Sequence, residues 1–291
     1  MSGTVPSGAP TTGAREPLLA ALREVDIDRY LALLLMPEPV QADIAALFLF
    51  NAEIAAIRDR IREPLPGEIR LQWWSDVLEG GRQAEAAAHP VAAALLNLVE
   101  RRALPVAPLS AMCEARIFDL YDDPMPDRTS YEGYAGETAS TILQASAFLL
   151  DAQASDHSAT ASGHAGVAQA VAGHLMLLPL SRSRGQLFLP GDLLAATGLD
   201  RGGFLAGTDR AAVSNAVRAF AGFGRDHLGK ARAALGELPA SVFPAYLPVA
   251  LVDAVLRRAE TLGADCLDKP IRISQWRRQW HLWRSARRGR V

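Results

Sequence analysis

"LFLFNAEIAAIRDRIREPLPGEIRLQWW", residues 47–74, opens as an apolar run, becomes charged from Glu53, breaks at Pro64 and Pro66 and resumes with Trp73 and Trp74. Its apolar residues recur three and four apart instead of alternating, which is the spacing of a helix face and not of a strand. Proline lacks the N–H a helix interior needs, so the stretch reads as two helices joined at a break.

The rest of the chain repeats this pattern. Alanine, leucine and arginine dominate, β-branched residues are sparse, and apolar residues fall at helical spacing throughout. Helices are predicted over residues 17–34, 38–62, 67–80, 89–103, 107–121, 130–151, 163–180, 190–197, 209–236, 240–263 and 273–287. Prolines at 37, 39, 64, 66, 105, 108, 124 and 126 punctuate them, as in a bundle of antiparallel neighbours. The small, polar segment 151–166 reads as a surface loop and "GLDRGG", 198–203, as a turn. The expected architecture is all-α: a disordered tail over residues 1–15 and one helical domain over 16–291.

At 291 residues, 49 % hydrophobic and 21 % charged, the chain can bury a substantial core. A net charge of −2 argues against a nucleic-acid partner. Cys113 and Cys266 have no metal-ligand spacing and imply neither a zinc site nor a disulfide framework. The N-terminal residues lack a secretory pattern, and no apolar run approaches the roughly 20 residues a membrane span needs. The expected location is the cytoplasm, with peripheral attachment to the inner face of the cytoplasmic membrane left open.

Two carboxylates four apart on a helix can share a divalent cation, and two such pairs on facing helices form a diphosphate-ionising magnesium site. Four pairs have this spacing: Glu24 with Asp28, Asp59 with Glu63, Asp119 with Asp123, and Asp123 with Asp127, the last crossing two prolines. Asp59/Glu63 and Asp119/Asp123 are the candidates for a metal site. Their plain alternative is solvated helix ends, with Asp59 beside Arg62 and Asp119 beside Arg116. No nucleophile motif, P-loop or dinucleotide fingerprint is present.

The C-terminal "RISQWRRQWHLWRSARRGR" sets Trp276, Trp280 and Trp283 at i, i+4 and i+7 among arginines. This is an amphipathic helix that either docks on the bundle or meets an anionic membrane surface or a partner protein.

Taken in order, "DRYLALLLMP" at 28–37, "ALFLFNAEIAAIRD" and "RSRGQLFLPGDLLAATGL" resemble segments of the squalene/phytoene synthase family, all-α enzymes that join two prenyl diphosphates head to head. The resemblance covers about residues 28–285 and implies an isoprenoid-synthase-type bundle around a central cavity. It places the family's first aspartate pair on Ala55 and Asp59 and its second on Leu177 and Ser181, so three of four metal carboxylates are missing. "FNAEIAAIRDRIREPLPGEIRLQWW", "YEGYAGETASTIL" and "SVFPAYLPVALVDAVL" more closely resemble the branch containing a mitochondrial complex I assembly factor and its alphaproteobacterial relatives.

That branch implies a protein without turnover and without a cofactor, helping to build a respiratory membrane complex with a complex subunit or assembly protein as partner. Residues expected to line the former pocket are Asn51, Glu53, Arg58, Asp59, Arg62 and Arg70, continuing with Gln72, Trp73, Tyr134, Glu137 and Thr138. Their plain alternative is structural, with Arg58, Arg62 and Arg70 pairing with Glu53, Asp59 or Glu137 and the tryptophans in the core. Two other readings stand beside it. One is an active magnesium-dependent prenyltransferase using Asp59, Glu63, Asp119 and Asp123, with Arg182 and Arg184 holding diphosphate. The other is a protein whose cavity binds a lipid or prenyl chain without converting it.

Overall fold

The computed structural model describes residues 12–291, with side chains from residue 15, and its described residues form helices and no strand. The all-α expectation holds. Residues 1–11 of the expected tail lie outside the described residues, and a helix, Thr12–Val25, begins within the remainder.

Helix boundaries follow local chemistry. The single helix expected over 17–34 is two, because the Asp26 carboxylate accepts from the Arg29 N–H at 2.9 Å and starts a new helix, Ile27–Leu33. The helix expected over 38–62 stops at Ala55 and passes through a 3₁₀ turn, Arg58–Arg60, into extended backbone. Pro64 and Pro66 sit in the first turn of the next helix, Pro64–Leu78, where a missing N–H costs nothing. The "GLDRGG" turn contains a helix start, with Asp200 accepting from the Gly203 N–H at 2.7 Å to cap Arg201–Ala206.

The segment expected as a surface loop, 151–166, is largely helical. Asp151 caps a short turn, Ala152–Ser155, and the helix Ala159–Met176 follows. Its small residues serve packing: a Cβ on Gly166 would lie 2.1 Å from Ser140 Oγ and 2.5 Å from the Ser140 nitrogen. Ser140 closes a π-helical turn, Gly136–Ser140, that joins Arg128–Ala135 to Thr141–Leu150. π-turns are uncommon and frequent at functional sites, and this one carries Thr138 beside the cavity described below.

Two apolar cores result. One gathers around Glu38–Ala55, with Leu47, Phe48, Phe50, Trp74 and Leu95 buried. The other surrounds Ala159–Met176 and Arg210–Leu235, with Val171, Phe220, Tyr246 and Leu256 buried. Glu38–Ala55 is buried on nearly every side, and its Asp43 is satisfied by Arg101 at 2.6 Å and Arg102 at 3.2 Å.

The C-terminal helix, Gln275–Arg288, docks on the bundle through Leu282 and Ser285, both buried, and through Arg278, whose Nε lies 2.6 Å from Asp28 Oδ1. Its tryptophans point the other way: Trp276, Trp280 and Trp283 are 65 %, 50 % and 44 % exposed. The docking reading holds for one face of this helix, and the aromatic face is exposed. Among the described residues no helix is long and apolar enough to cross a membrane.

Candidate functional site

A cavity of about 320 Å³ lies where the Glu38–Ala55 and Ala159–Met176 helices face each other. Asn51 and Ala55 face it from the first helix, one turn apart, while Gln169, Gly173 and Leu177 continue one face of the second and its C-cap. Tyr134 and Thr138 approach from either side of the π-turn's start, and Leu251, Val252 and Val255 supply an apolar wall. Asp28 and Arg278 close one side.

The polar floor is organised by Arg116. Its guanidinium lies 2.9 Å from Asp119 Oδ2 and donates to the Tyr134 hydroxyl at 2.9 Å, while that hydroxyl donates to Asp119 Oδ1 at 2.7 Å. Burial opposes the Arg116 charge, but Tyr134 and Asp119 outweigh it and hold its pKa above the usual arginine range. Gln186 Nε2 donates to the Asp119 carbonyl at 2.9 Å. Beside this group His174 stacks on Phe188 with ring centroids 4.0 Å apart, and its Nδ1 lies 2.8 Å from the Tyr131 hydroxyl. Burial first, and the Arg116 charge second, push the His174 pKa down to about 3, so the ring is neutral.

The expected site residues divide sharply. Asn51, Tyr134 and Thr138 line the cavity, as do Ala55 and Leu177. Glu53, Arg58, Asp59, Arg62, Arg70, Gln72, Trp73 and Glu137 lie outside its lining. The helix that would have carried Arg58 and Asp59 inward ends at Ala55, and Arg62, Arg70, Gln72 and Glu137 are exposed. Gln72 and Trp73 border a separate groove beside Ile69 and Ile117, with the Trp73 indole donating to Glu85 at 2.9 Å. Trp74 is core, edge-on to Phe50.

The expected charge pairing is also redistributed. Arg58 lies 3.6 Å from Asp122, and Glu53 lies 3.4 Å from His89 Nε2. Asp59 is bonded to Arg184, 125 residues further along the chain. Arg182 is spent on Asp268 and on the carbonyls of Leu205 and Ala206.

A magnesium site does not fit this donor set. Asp59 and Glu63 are separated by extended backbone, so they share no helix face. Tyr121 is likewise extended between Asp119, which is committed to Arg116, and Asp123, which is exposed. Ala55 and Leu177 offer no oxygen, and among the described residues no group of three or more His, Cys, Asp or Glu could hold a metal ion. Sequence spacing overestimated these pairs because it assumed helix where the chain is extended. It missed Arg116, Gln169 and His174 as cavity residues, although Gln169, Gly173 and Leu177 fall at helical spacing.

Asp119 and Asp59 should respond differently to neutralisation. Asp119→Asn leaves the Arg116 charge buried without its carboxylate and is expected to lower unfolding free energy by about 3–5 kcal/mol. Asp59→Asn removes a half-exposed pair and is expected to cost less than about 1 kcal/mol; urea unfolding of both variants measures the difference. His174 gives a pH signature. Its unfolded form takes a proton near pH 6.5, whereas the folded form resists until about pH 3. The contribution is therefore complete above that unfolded value and is lost as pH falls through the window, at about 1.4 kcal/mol per pH unit. Urea unfolding at a series of pH values in that window should show His174→Gln with a slope shallower than the wild type by one proton.

The squalene/phytoene synthase family profile matches residues 22–284. A Rattus norvegicus protein named NADH dehydrogenase (ubiquinone) complex I, assembly factor 6 is 30 % identical over 247 residues, 85 % of this chain and 74 % of that protein. Its Mus musculus counterpart is 29 % identical over 259 residues, 89 % and 78 % of the two chains. Among solved structures, a dehydrosqualene synthase in complex with a ligand superposes with a TM-score of 0.77 at 14 % identity, covering 95 % of this chain and 96 % of that one, a likeness of fold. With the profile spanning nearly the whole helical domain and the bundle and cavity in place, this chain belongs to the squalene/phytoene synthase family.

Proposed function

We propose that this protein is a non-catalytic member of its family that assists assembly of respiratory complex I, using the synthase bundle as a scaffold. The observation that carries the reading is the loss of the metal positions at Ala55 and Leu177 together with capture of Asp59 by Arg184. The relatives named as complex I assembly factors, similar over most of their length, supply the direction. A prenyltransferase must ionise a diphosphate, and the acidic residues available to it are apart or already paired. The reading requires no magnesium and no other cofactor.

In a strain lacking this chain, complex I measured by native gel and NADH:quinone activity should fall. It should recover with the wild type and equally with Asp59→Asn. Normal complex I in the deletion strain, or rescue that depends on the Asp59 carboxylate, would count against the proposal.

The assembly partner is a membrane complex, and we read the tail helix as the means of reaching it at the inner face of the cytoplasmic membrane. The three exposed tryptophans are accompanied by Arg272, Arg277, Arg284, Arg287, Arg288 and Arg290, and no acidic residue follows Asp268. Each basic residue near an anionic surface contributes about 1 kcal/mol, and tryptophan prefers the interfacial zone. Purified protein should sediment with phosphatidylglycerol-containing vesicles and not with phosphatidylcholine alone. Replacing Trp276, Trp280 and Trp283 by Ala should weaken sedimentation by more than about tenfold; unchanged sedimentation would remove the helix from this role.

The cavity supports a compatible second reading: binding of a lipid or prenyl chain without turnover. Its apolar wall is retained although the metal positions are not.

A further inference from the structure

The charges around the central cavity cancel in place. Arg29 is paired with Asp26 at 2.8 Å, Arg116 with Asp119 at 2.9 Å and Arg278 with Asp28 at 2.6 Å. His174 is neutral, while Arg182 and Arg184 are held at Asp268 and Asp59. An anionic head entering here would have to draw a guanidinium away from its carboxylate, leaving that carboxylate poorly compensated. A cationic head would face the same obstacle with the signs reversed.

Hydrogen-bonding capacity is nevertheless left over: Asp28 Oδ1, Arg116 Nε and Arg278 Nε belong to ion-paired groups yet have no hydrogen-bond partner, and two uncharged carboxamides face the same cavity. The Asn51 side chain is only 4 % exposed, lines the cavity and has no hydrogen-bond partner among the described residues. Gln169 lines it from the opposing helix, and its Oε1 is enclosed and without a partner. Buried carboxamides are ordinarily satisfied, and each offers two donors and a carbonyl acceptor. Asn51 lies one turn from Ala55 and Gln169 two turns from Leu177 on the cavity-lining faces of their helices. On both helices, then, the former metal position has become apolar while a carboxamide faces the same cavity. The adjoining wall of Leu251, Val252 and Val255 is aliphatic.

We infer that the cavity takes an apolar chain ending in an uncharged head that both donates and accepts hydrogen bonds, the chemistry of a prenyl or acyl alcohol, with Asn51 and Gln169 recognising the head. This rests on reading the fold as retained for binding without turnover. It reverses the charge requirement of a diphosphate site. The cavity volume is at the lower end of ligand sites, which span roughly 300–1,000 Å³, and suits a single chain.

Farnesol and farnesyl diphosphate carry the same chain on heads of different charge, so they isolate the feature in question. Titration calorimetry on the full-length protein should give saturable farnesol binding. Farnesyl diphosphate should bind at least tenfold more weakly, with no gain on adding magnesium. Gln169→Leu and Asn51→Leu should each weaken farnesol binding by about tenfold. Gln169 is the less buried position and serves as the reading should Asn51→Leu fail to fold by circular dichroism. Tighter or magnesium-dependent binding of the diphosphate would overturn the inference. So would binding of neither ligand, or farnesol affinity unchanged in Gln169→Leu. Complex I level in the deletion strain is scored separately, so a chain that restores assembly without binding farnesol defeats this inference alone.

Discussion

A guanidinium withdrawn from water has to be neutralised where it stands, and Arg116 shows how much structure that requirement can organise. Its partners come from two places, Asp119 from its own 3₁₀ turn and Tyr134 from the helix leading into the π-turn, while Gln186 donates to the Asp119 carbonyl and braces that turn. Removing any of them leaves a buried polar group unpaired, a penalty larger than the net gain of an ordinary hydrogen bond. The triad therefore ties the floor of the cavity to segments from both apolar cores. Burial, with the Arg116 charge as the secondary cause, keeps His174 uncharged, and the pairing leaves Arg116 without surplus positive charge.

This neutrality separates the chain's chemistry from its fold. The bundle superposes well on a dehydrosqualene synthase at an identity too low to transfer activity. Shape alone would suggest catalysis, whereas the donors at the facing helices do not. Ala55 and Leu177 bring no oxygen ligands to the facing helices, and Asp59 is bonded to Arg184. A direct ion pair, Asp59 with Arg184, connects the segment after the first of these helices to the segment after the second.

The all-α fold was legible because helical periodicity is a local property, expressed across nearly every segment and marked by proline. Membership of the squalene/phytoene synthase family was legible through the order and spacing of its segments. Long-range pairings were not: Asp59 and Arg184 are 125 residues apart, and nothing in the composition near either names the other. The segment 151–166 misled because small residues serve turns and close helix contacts alike, and Gly166 is small on account of Ser140. The tail helix was correctly amphipathic, yet its docked face proved to be Leu282 and Ser285. Arg278, Leu282 and Ser285 lie at i, i+4 and i+7, so the docked face also brings Arg278 to Asp28 while the tryptophan face stays outside.

The bond between Asp59 and Arg184 also bears on how such a chain can change over generations. Restoring a carboxylate at Ala55 or Leu177 alone would add negative charge beside a cavity whose cations are already matched, with too few oxygens to retain a metal that could offset it. Each single step back toward catalysis would thus be unfavourable before the last one became useful. The Asp59–Arg184 pair acts in this sense as a ratchet, because a lone carboxylate added beside it would meet cations that are already matched.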